Sequence, residues 1–282
     1  MSDALKKYSR QPKIYLELPS KGKFYMVNPA EKSGTGELPV LSMTARDELL
    51  LRTPDALMNG EAMANSLKNC VPLIEDPWDI PIIDIDALLI AIRIATYGET
   101  MKMEVNVPKS EEKLEVEISL PVVLDTLKSK TWQEVIKFKD LDLHTQPLKF
   151  RDQNTYEQKT FETSKFIATL RSTENAPDEQ RRKQLGALFD SISDINIDLV
   201  RKQIIKIVTP EGEQVTDQLE IGRWLNDLNA PDFEIIRKAL DDNKSQFDLP
   251  LQTAKVPESL VKQGSPETVE FPLVFNNTSF FA

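Results

Sequence analysis

The side chains that could carry chemistry are few in kind. The 282-residue chain has one histidine, His144, and one cysteine, Cys70. A closed structural zinc site takes about four nitrogen or sulfur ligands, which these two cannot supply, and a lone cysteine excludes an intramolecular disulfide. A Ser-His-Asp set would have to use His144, which stands in Leu-Asp-Leu-His-Thr, and no Gly-x-Ser-x-Gly nucleophile elbow occurs. His144 therefore reads as a surface or packing residue. Gly34-Thr-Gly36 is a lone Gly-x-Gly whose third glycine position is Pro39, with no amide to offer a pyrophosphate. Asp76, Asp79, Asp84 and Asp86 could suggest a hard cation, but they lack the spacing and the glycine of a calcium loop, and Asp84 reads as a helix cap. Paired carboxylates for glycoside hydrolysis are conceivable among 45 acids, yet nothing singles out a pair. The expectation is a chain with no catalytic, cofactor-binding or metal-binding residues, and not an enzyme.

The C-terminal end is unusual in another way. Phe271, Phe275, Phe280 and Phe281 place four of the twelve phenylalanines in the last twelve residues. Disordered tails are aromatic-poor, so this one reads as a docking element, either onto the chain's own second domain or into a partner subunit. Asn276-Asn-Thr278 and Asn277-Thr-Ser279 match the glycosylation acceptor pattern, which is idle without a secretory segment.

Composition narrows the class. Asp and Glu number 45 against 35 Lys and Arg, a formal charge of −10, which argues against a nucleic-acid binder and a polybasic membrane anchor. Hydrophobic residues make up 40%, enough for a core, and nine glycines are about half the usual share, which favours helix over nucleotide-binding loops. The longest wholly apolar run, Ala87 to Ile92, falls far short of the ~20 residues of a membrane helix. The opening residues carry no apolar signal region, and a soluble, cytosol-made chain is expected.

The periodicities predict an α+β fold. Residues 1–13 read as a flexible arm, 14–149 as a mixed domain, 150–247 as a mainly helical domain, and 248–282 as an extended segment ending in the aromatic tail. Ile14 to Leu18 and Glu37 to Val40 read as short strands, the second held at an edge by Pro39, with Glu31 to Gly36 as a turn. Thr44 reads as a helix cap, Thr53-Pro54 opens a helix that Gly60 ends, and a short helix covers 61–69. Asp84 caps a helix over 85–97 with an apolar stripe of Leu88, Leu89 and Ile92, stopped by Gly98. Met101 to Val107 and Leu114 to Leu120 alternate without a break, the clearest hairpin in the chain, with Met103, Val105, Val107, Leu114, Val116 and Ile118 on the inward face. Residues 121–151 are mixed. Asp152 to Leu170 and a segment reaching Phe189 are helical, the run Leu199 to Val208 ends β-branched, and Thr209-Pro-Glu-Gly212 turns back on Gln214-Val215. Asp217 caps a helix carrying Ile221, Trp224, Leu225 and Leu228, and Pro231 opens the last helix to about Leu240, beyond which the sequence loosens.

Read in order, Leu18-Pro-Ser-Lys-Gly-Lys-Phe-Tyr25, Leu41-Ser-Met-Thr-Ala-Arg-Asp-Glu48, Ala87-Leu-Leu-Ile-Ala-Ile-Arg-Ile-Ala-Thr-Tyr-Gly98 and Phe275-Asn-Asn-Thr-Ser-Phe-Phe281 form a set. This set resembles the baseplate hub subunit and hub assembly family of T-even-type contractile-tailed bacteriophages, most strongly over 14–120. The resemblance implies a late phage protein that builds the central baseplate hub through protein contacts, as a virion subunit or as an assembly factor absent from the particle. It implies synthesis in the host cytoplasm, partners among other hub or tail proteins, and no cofactor, nucleic acid, membrane or small-molecule substrate. Relatives often hold Cys-x-x-Cys pairs after the helix ending Tyr-Gly and again near the C-terminus. Here the first turn reads Val107-Pro-Lys-Ser110 and the C-terminal region has no cysteine, so packing must close the hairpin. A tail-associated cell-wall hydrolase is the enzymatic alternative, and it lacks a visible catalytic centre.

Overall fold

A computed structural model describes residues 8–51, 60–172 and 178–273. The fold is α+β, built of helices and small antiparallel sheets. Strands Ile14–Leu16 (β1) and Leu38–Val40 (β2) pair antiparallel with Tyr15 opposite Pro39. Proline has no amide for a ladder, and a two-stranded sheet tolerates it because each strand is an edge. Between them the expected turn is a short helix, Pro29–Ser33 (α1). The Asn28 side chain accepts from the Ala30 amide at 2.9 Å, Pro29 opens the helix, and Gly34 closes it with φ 72°.

Helix α2 is Ala45–Leu51 and α3 is Glu61–Cys70. The expected helix from Thr53 lies outside the described residues. A single 3-10 turn, Pro77–Asp79, precedes α4, Ile82–Tyr97. Ten of the sixteen α4 residues are buried, so the helix is enclosed rather than amphipathic. Asp84 does not cap it: the helix begins two residues earlier, and Asp84 sits inside its first turn. Gly98, with φ 101°, ends it as the glycine signal requires.

Strands Thr100–Asn106 (β3) and Lys113–Ser119 (β4) form the expected hairpin in unbroken register, Met101 opposite Ile118 and Val105 opposite Leu114. Met101, Val105, Val107 and Ile118 are buried, whereas Lys102, Glu104, Glu115 and Glu117 are exposed. Helix α5, Leu120–Lys128, follows directly.

The stretch that reads as mixed holds a second hairpin, Val135–Phe138 (β5) with Leu141–Thr145 (β6). Two long helices come next, Phe150–Ser172 (α6) and Asp178–Gln203 (α7), of 23 and 26 residues, or roughly 35 and 39 Å at 1.5 Å per residue. α7 runs straight into Ile204–Val208 (β7), where the β-branched run takes over. β7 pairs with β6 on one side and with Gln214–Val215 (β8) on the other, giving the sheet order β5-β6-β7-β8. Helices Gln218–Asp227 (α8) and Ala230–Ser245 (α9) are capped by Asp217 and Asn229, each accepting from a first-turn amide. α9 continues past Leu240, where the sequence reads as loosening. Strand Gln252–Lys255 (β9), the short helix Glu258–Val261 (α10) and strand Thr268–Phe271 (β10) complete the described chain, β9 and β10 pairing antiparallel.

The chain divides into two compact units. One comprises residues 1–77, 83–130 and 247–282; the other comprises 78–82 and 131–246. The sequence-based segments are consecutive, whereas the units are interleaved: the segment from Phe247 onward belongs with the N-terminal half. The second unit has its own core. Ile136, Phe138 and Leu143 of the sheet meet Val200 and Ile204, with Ile221, Leu225, Ile236 and Leu240 from α8 and α9. Phe138 and Trp224 meet edge to face at 6.0 Å.

Candidate functional site

The best-formed polar site is structural, and α4 organises it. Asp84 is fully buried and accepts from the Ser20 amide at 2.8 Å, the Ser20 hydroxyl at 2.5 Å and the Tyr25 hydroxyl at 2.9 Å. The loop bearing Ser20 and Tyr25 must turn sharply to deliver all three donors. Gly22 makes this possible: its φ is 74°, and a Cβ there would lie 1.9 Å from the Asn28 side-chain oxygen. Leu18 to Tyr25 is thereby tied to the start of α4.

The segment Leu41 to Glu48 is tied to the other end of the same helix. Thr44 and Asp47 form a reciprocal cap at the head of α2: the Asp47 amide donates to the Thr44 hydroxyl, and the Thr44 amide and hydroxyl donate to the Asp47 carboxylate at 2.8 and 2.7 Å. Asn69 of α3 donates to the remaining Asp47 oxygen at 2.8 Å. The Met43 amide donates to the Thr96 hydroxyl, and the Tyr97 hydroxyl donates to Glu48. Two of the four segments that carry the family resemblance are thus tied to α4, which forms most of the third.

Burial alone would raise the Asp47 carboxyl, but the Thr44 and Asn69 hydrogen bonds and the Arg10 charge together hold it below the ordinary value. A carboxyl lowered in the folded state stabilises the fold fully above its unfolded value near 4, and that contribution fades as pH falls through the folded value. Acid titration of thermal melts should therefore show the gap between wild type and Asp47→Asn constant at neutral pH and narrowing below about pH 4. A gap that stays constant to pH 2 would contradict this account.

Cys70 is fully buried at the end of α3, and burial with the nearby Asp47 charge pushes its thiol up to about 12. The thiolate is the reactive form, so native Cys70 should resist thiol reagents at pH 8 and react stoichiometrically only in denaturant. Rapid labelling of the folded chain would refute this.

The remaining candidate residues do not assemble into a centre. His144 lies on β6, partly buried, beside an irregularity in the β6–β7 register. Asp79 pairs with Lys149 at 3.2 Å, and Asp84 is committed to Ser20 and Tyr25. Among the described residues no group of three or more His, Cys, Asp or Glu side chains is placed to hold a metal ion. Gly34 and Gly36 sit in the α1–β2 turn, where the Gly36 amide donates to Ser33 rather than cradling an anion. Of the four aromatic candidates, Phe271 is 6% exposed on β10, and Phe275, Phe280 and Phe281 lie outside the described residues.

Sequence reasoning missed Asn243. From α9 its buried side chain accepts the Gln133 amide at 3.0 Å and donates to the Gln133 carbonyl at 2.9 Å, fixing the entry to β5. No local signal could reveal a contact across 110 residues. Also missed were two clefts, of about 220 and 290 Å³, that flank Tyr156 and Leu199 between α6 and α7. Their walls mix both charge signs, including Asp152, Lys159, Asp198 and Lys202. Lys202 bridges Asp152 at 2.6 Å and Asp198 at 3.3 Å, so the second cleft neutralises itself. From Thr155 to Ile167, Thr163 is the one buried α6 residue, and Phe161 and Phe166 are exposed. Among the described residues no helix is long and apolar enough to cross a membrane.

No curated protein and no solved structure matches the chain. The family model of the T4 bacteriophage base plate protein matches residues 11–259, a span that takes in most of both compact units. With a match over most of its length, the chain belongs to the T4 bacteriophage base plate protein family.

Proposed function

We propose that this chain builds the central hub of a contractile phage tail base plate, acting through protein contacts rather than catalysis. The observation that carries the reading is the extent of the family match, 11–259, which spans most of the chain rather than one module. The polar networks around α4 support it, because the buried carboxylates Asp47 and Asp84 are occupied in holding segments together. Its partners are other hub or tail proteins, without nucleic acid, membrane or small-molecule substrate. It is made in the host cytoplasm as a late protein and takes its place in the virion tail. The aromatic tail, with Phe275, Phe280 and Phe281, docks on a neighbouring hub subunit, while Phe271 is held by its own chain.

The test is the copy number of the chain in purified particles. A fixed number matching the tail's rotational symmetry supports a hub subunit. Absence from particles whose assembly still requires the chain makes it an assembly factor for the hub instead. Peptidoglycan zymography with the pure chain addresses the hydrolase alternative, and lysis would overturn the non-enzymatic reading. Deleting residues 276–282 tests the tail: normal melting with lost assembly supports partner docking, and normal assembly removes it.

A further inference from the structure

Among the described residues, Arg93 is a buried cation for which no ion pair forms. Arg93 stands in the enclosed helix α4 and is 7% exposed. Its Nε and Nη1 atoms are buried and make no hydrogen bond. Among the described residues, the guanidinium meets the ring of Tyr97, one turn on, 4.5 Å from Cζ. Burial pushes the group below its ordinary value, with the Tyr97 phenol alone acting the other way. Arginine does not shed its proton at physiological pH, and its five N–H donors are normally matched to carboxylate, phosphate or carbonyl oxygens when buried. A chain with 45 acidic residues had many ways to supply one.

The surroundings point outward. Tyr97 is 37% exposed and holds Glu48 of α2 through its hydroxyl at 2.8 Å. Leu49, next to Glu48, is 67% exposed. A buried arginine stacked on a partly exposed tyrosine, with an exposed leucine next in sequence to that tyrosine's Glu48 partner, has the composition of an interface anchor: aromatic and Arg residues dominate such centres, and apolar neighbours exclude water from them.

We propose that the Arg93–Tyr97–Leu49 face docks a partner base plate protein by receiving an Asp or Glu side chain of that partner on the Arg93 guanidinium. The proposal rests on the base plate reading above. Docking must shift the Arg93 side chain, whose Nε and Nη1 have no exposed surface in the free chain, so that the carboxylate can supply the acceptors they lack, while the Tyr97 ring holds the cation until then. The unpaired charge is then a cost of the free chain that docking removes.

This gives Arg93→Met an unusual signature. Methionine fills similar volume without the charge, and replacing a buried ion by an apolar side chain is often neutral or stabilising. The isolated Arg93→Met chain should melt at or above the wild-type temperature. In a phage lacking the chain and complemented from a plasmid, the same variant should fail to restore base plates. With the photo-crosslinker benzoyl-phenylalanine at position 49, infected cells should yield an adduct to a base plate protein through an Asp- or Glu-containing peptide. Arg93→Met should weaken that adduct by about 30-fold or more, the effect of removing one partner of a buried charge pair. Leu49→Glu, on an exposed position, should leave the melt unchanged and also block complementation.

A lowered melt for Arg93→Met would overturn the proposal by showing that the arginine serves the fold. Full complementation by either variant, or an undiminished adduct, would overturn it as well. The control is the deletion phage itself: if it builds normal base plates, the base plate assembly reading fails. If it does not, and Arg93→Met complements, the Arg93 proposal fails alone.

Discussion

Asp84→Ala should destabilise the first compact unit by about 3 kcal/mol, because it leaves the buried Ser20 amide and hydroxyl without an acceptor. Each orphaned buried donor costs about 1–3 kcal/mol, and the Tyr25 hydroxyl, which is less buried, adds less since water can reach it. Burying the carboxylate is itself unfavourable, and removing it returns part of the loss, which keeps the total below the simple sum. Asp84→Asn should cost less, since its amide oxygen can still accept from Ser20. The protein carries convenient probes for this measurement. Cys70 lies in the first unit and is buried, so its labelling rate across a denaturant series reports opening of that unit. Trp78, Trp132 and Trp224 all lie in the second, so their fluorescence reports the other. Asp84→Ala should move the Cys70 midpoint to lower denaturant. An unmoved Cys70 midpoint would mean that the loop around Ser20 is not anchored by Asp84.

What the sequence made legible was whatever a local period or a cap could encode. The β3–β4 hairpin follows from strict alternation, and α8 from Asp217 ahead of Ile221 and Leu225. The β5–β6 hairpin was not legible, because its turn is Lys139-Asp140 rather than Asn-Gly, with Lys139 itself taking φ 53°. α1 could have been read from Asn28-Pro29 and Gly34, but five residues are too few to show a periodic face. The α7–β7 junction hides in one apolar run, Leu199 to Val208, which satisfies both periods until the β-branched residues decide.

The polar interior was the least legible part, because it is made of long-range contacts. Asp84 reads as a cap from its position before an apolar stripe, yet it is held by residues 59 and 64 positions away. Asp47 stands three residues after the Thr44 cap, where an acid favours a helix start, and nothing local signals its bond to Asn69, which spans 22 residues. Arg93 interrupts the apolar stripe of α4 without any sequence sign of whether a partner awaits it. The interleaving of the two units is invisible for the same reason: nothing in the composition around Phe247 says that the chain returns to its first half.

The β3–β4 hairpin offers the sharpest test of a face assignment that sequence and structure share. Ile118 is 4% exposed and opposite Met101, which is also buried, whereas the adjacent Glu115 and Glu117 face water. Ile118→Asp removes a buried branched side chain and places a carboxylate in a buried position opposite Met101. Lost burial alone is worth about 2 kcal/mol, and the unpaired charge brings the expected cost to about 4 kcal/mol or more, partly relieved by protonation of the new acid. That relief has a direction: a carboxyl raised by burial is least damaging at low pH, so the deficit of Ile118→Asp should shrink as pH falls toward 5. Glu115→Lys is the counterpart on the opposite face. It reverses the exposed pair with Lys102, at 3.0 Å, and puts two cations together, but both side chains are more than half exposed and can move apart in water. The Cys70 labelling midpoint should therefore fall sharply for Ile118→Asp and stay near wild type for Glu115→Lys. Comparable shifts for the two would mean that the hairpin packs through neither face as drawn, and that its register is held by the backbone ladder alone.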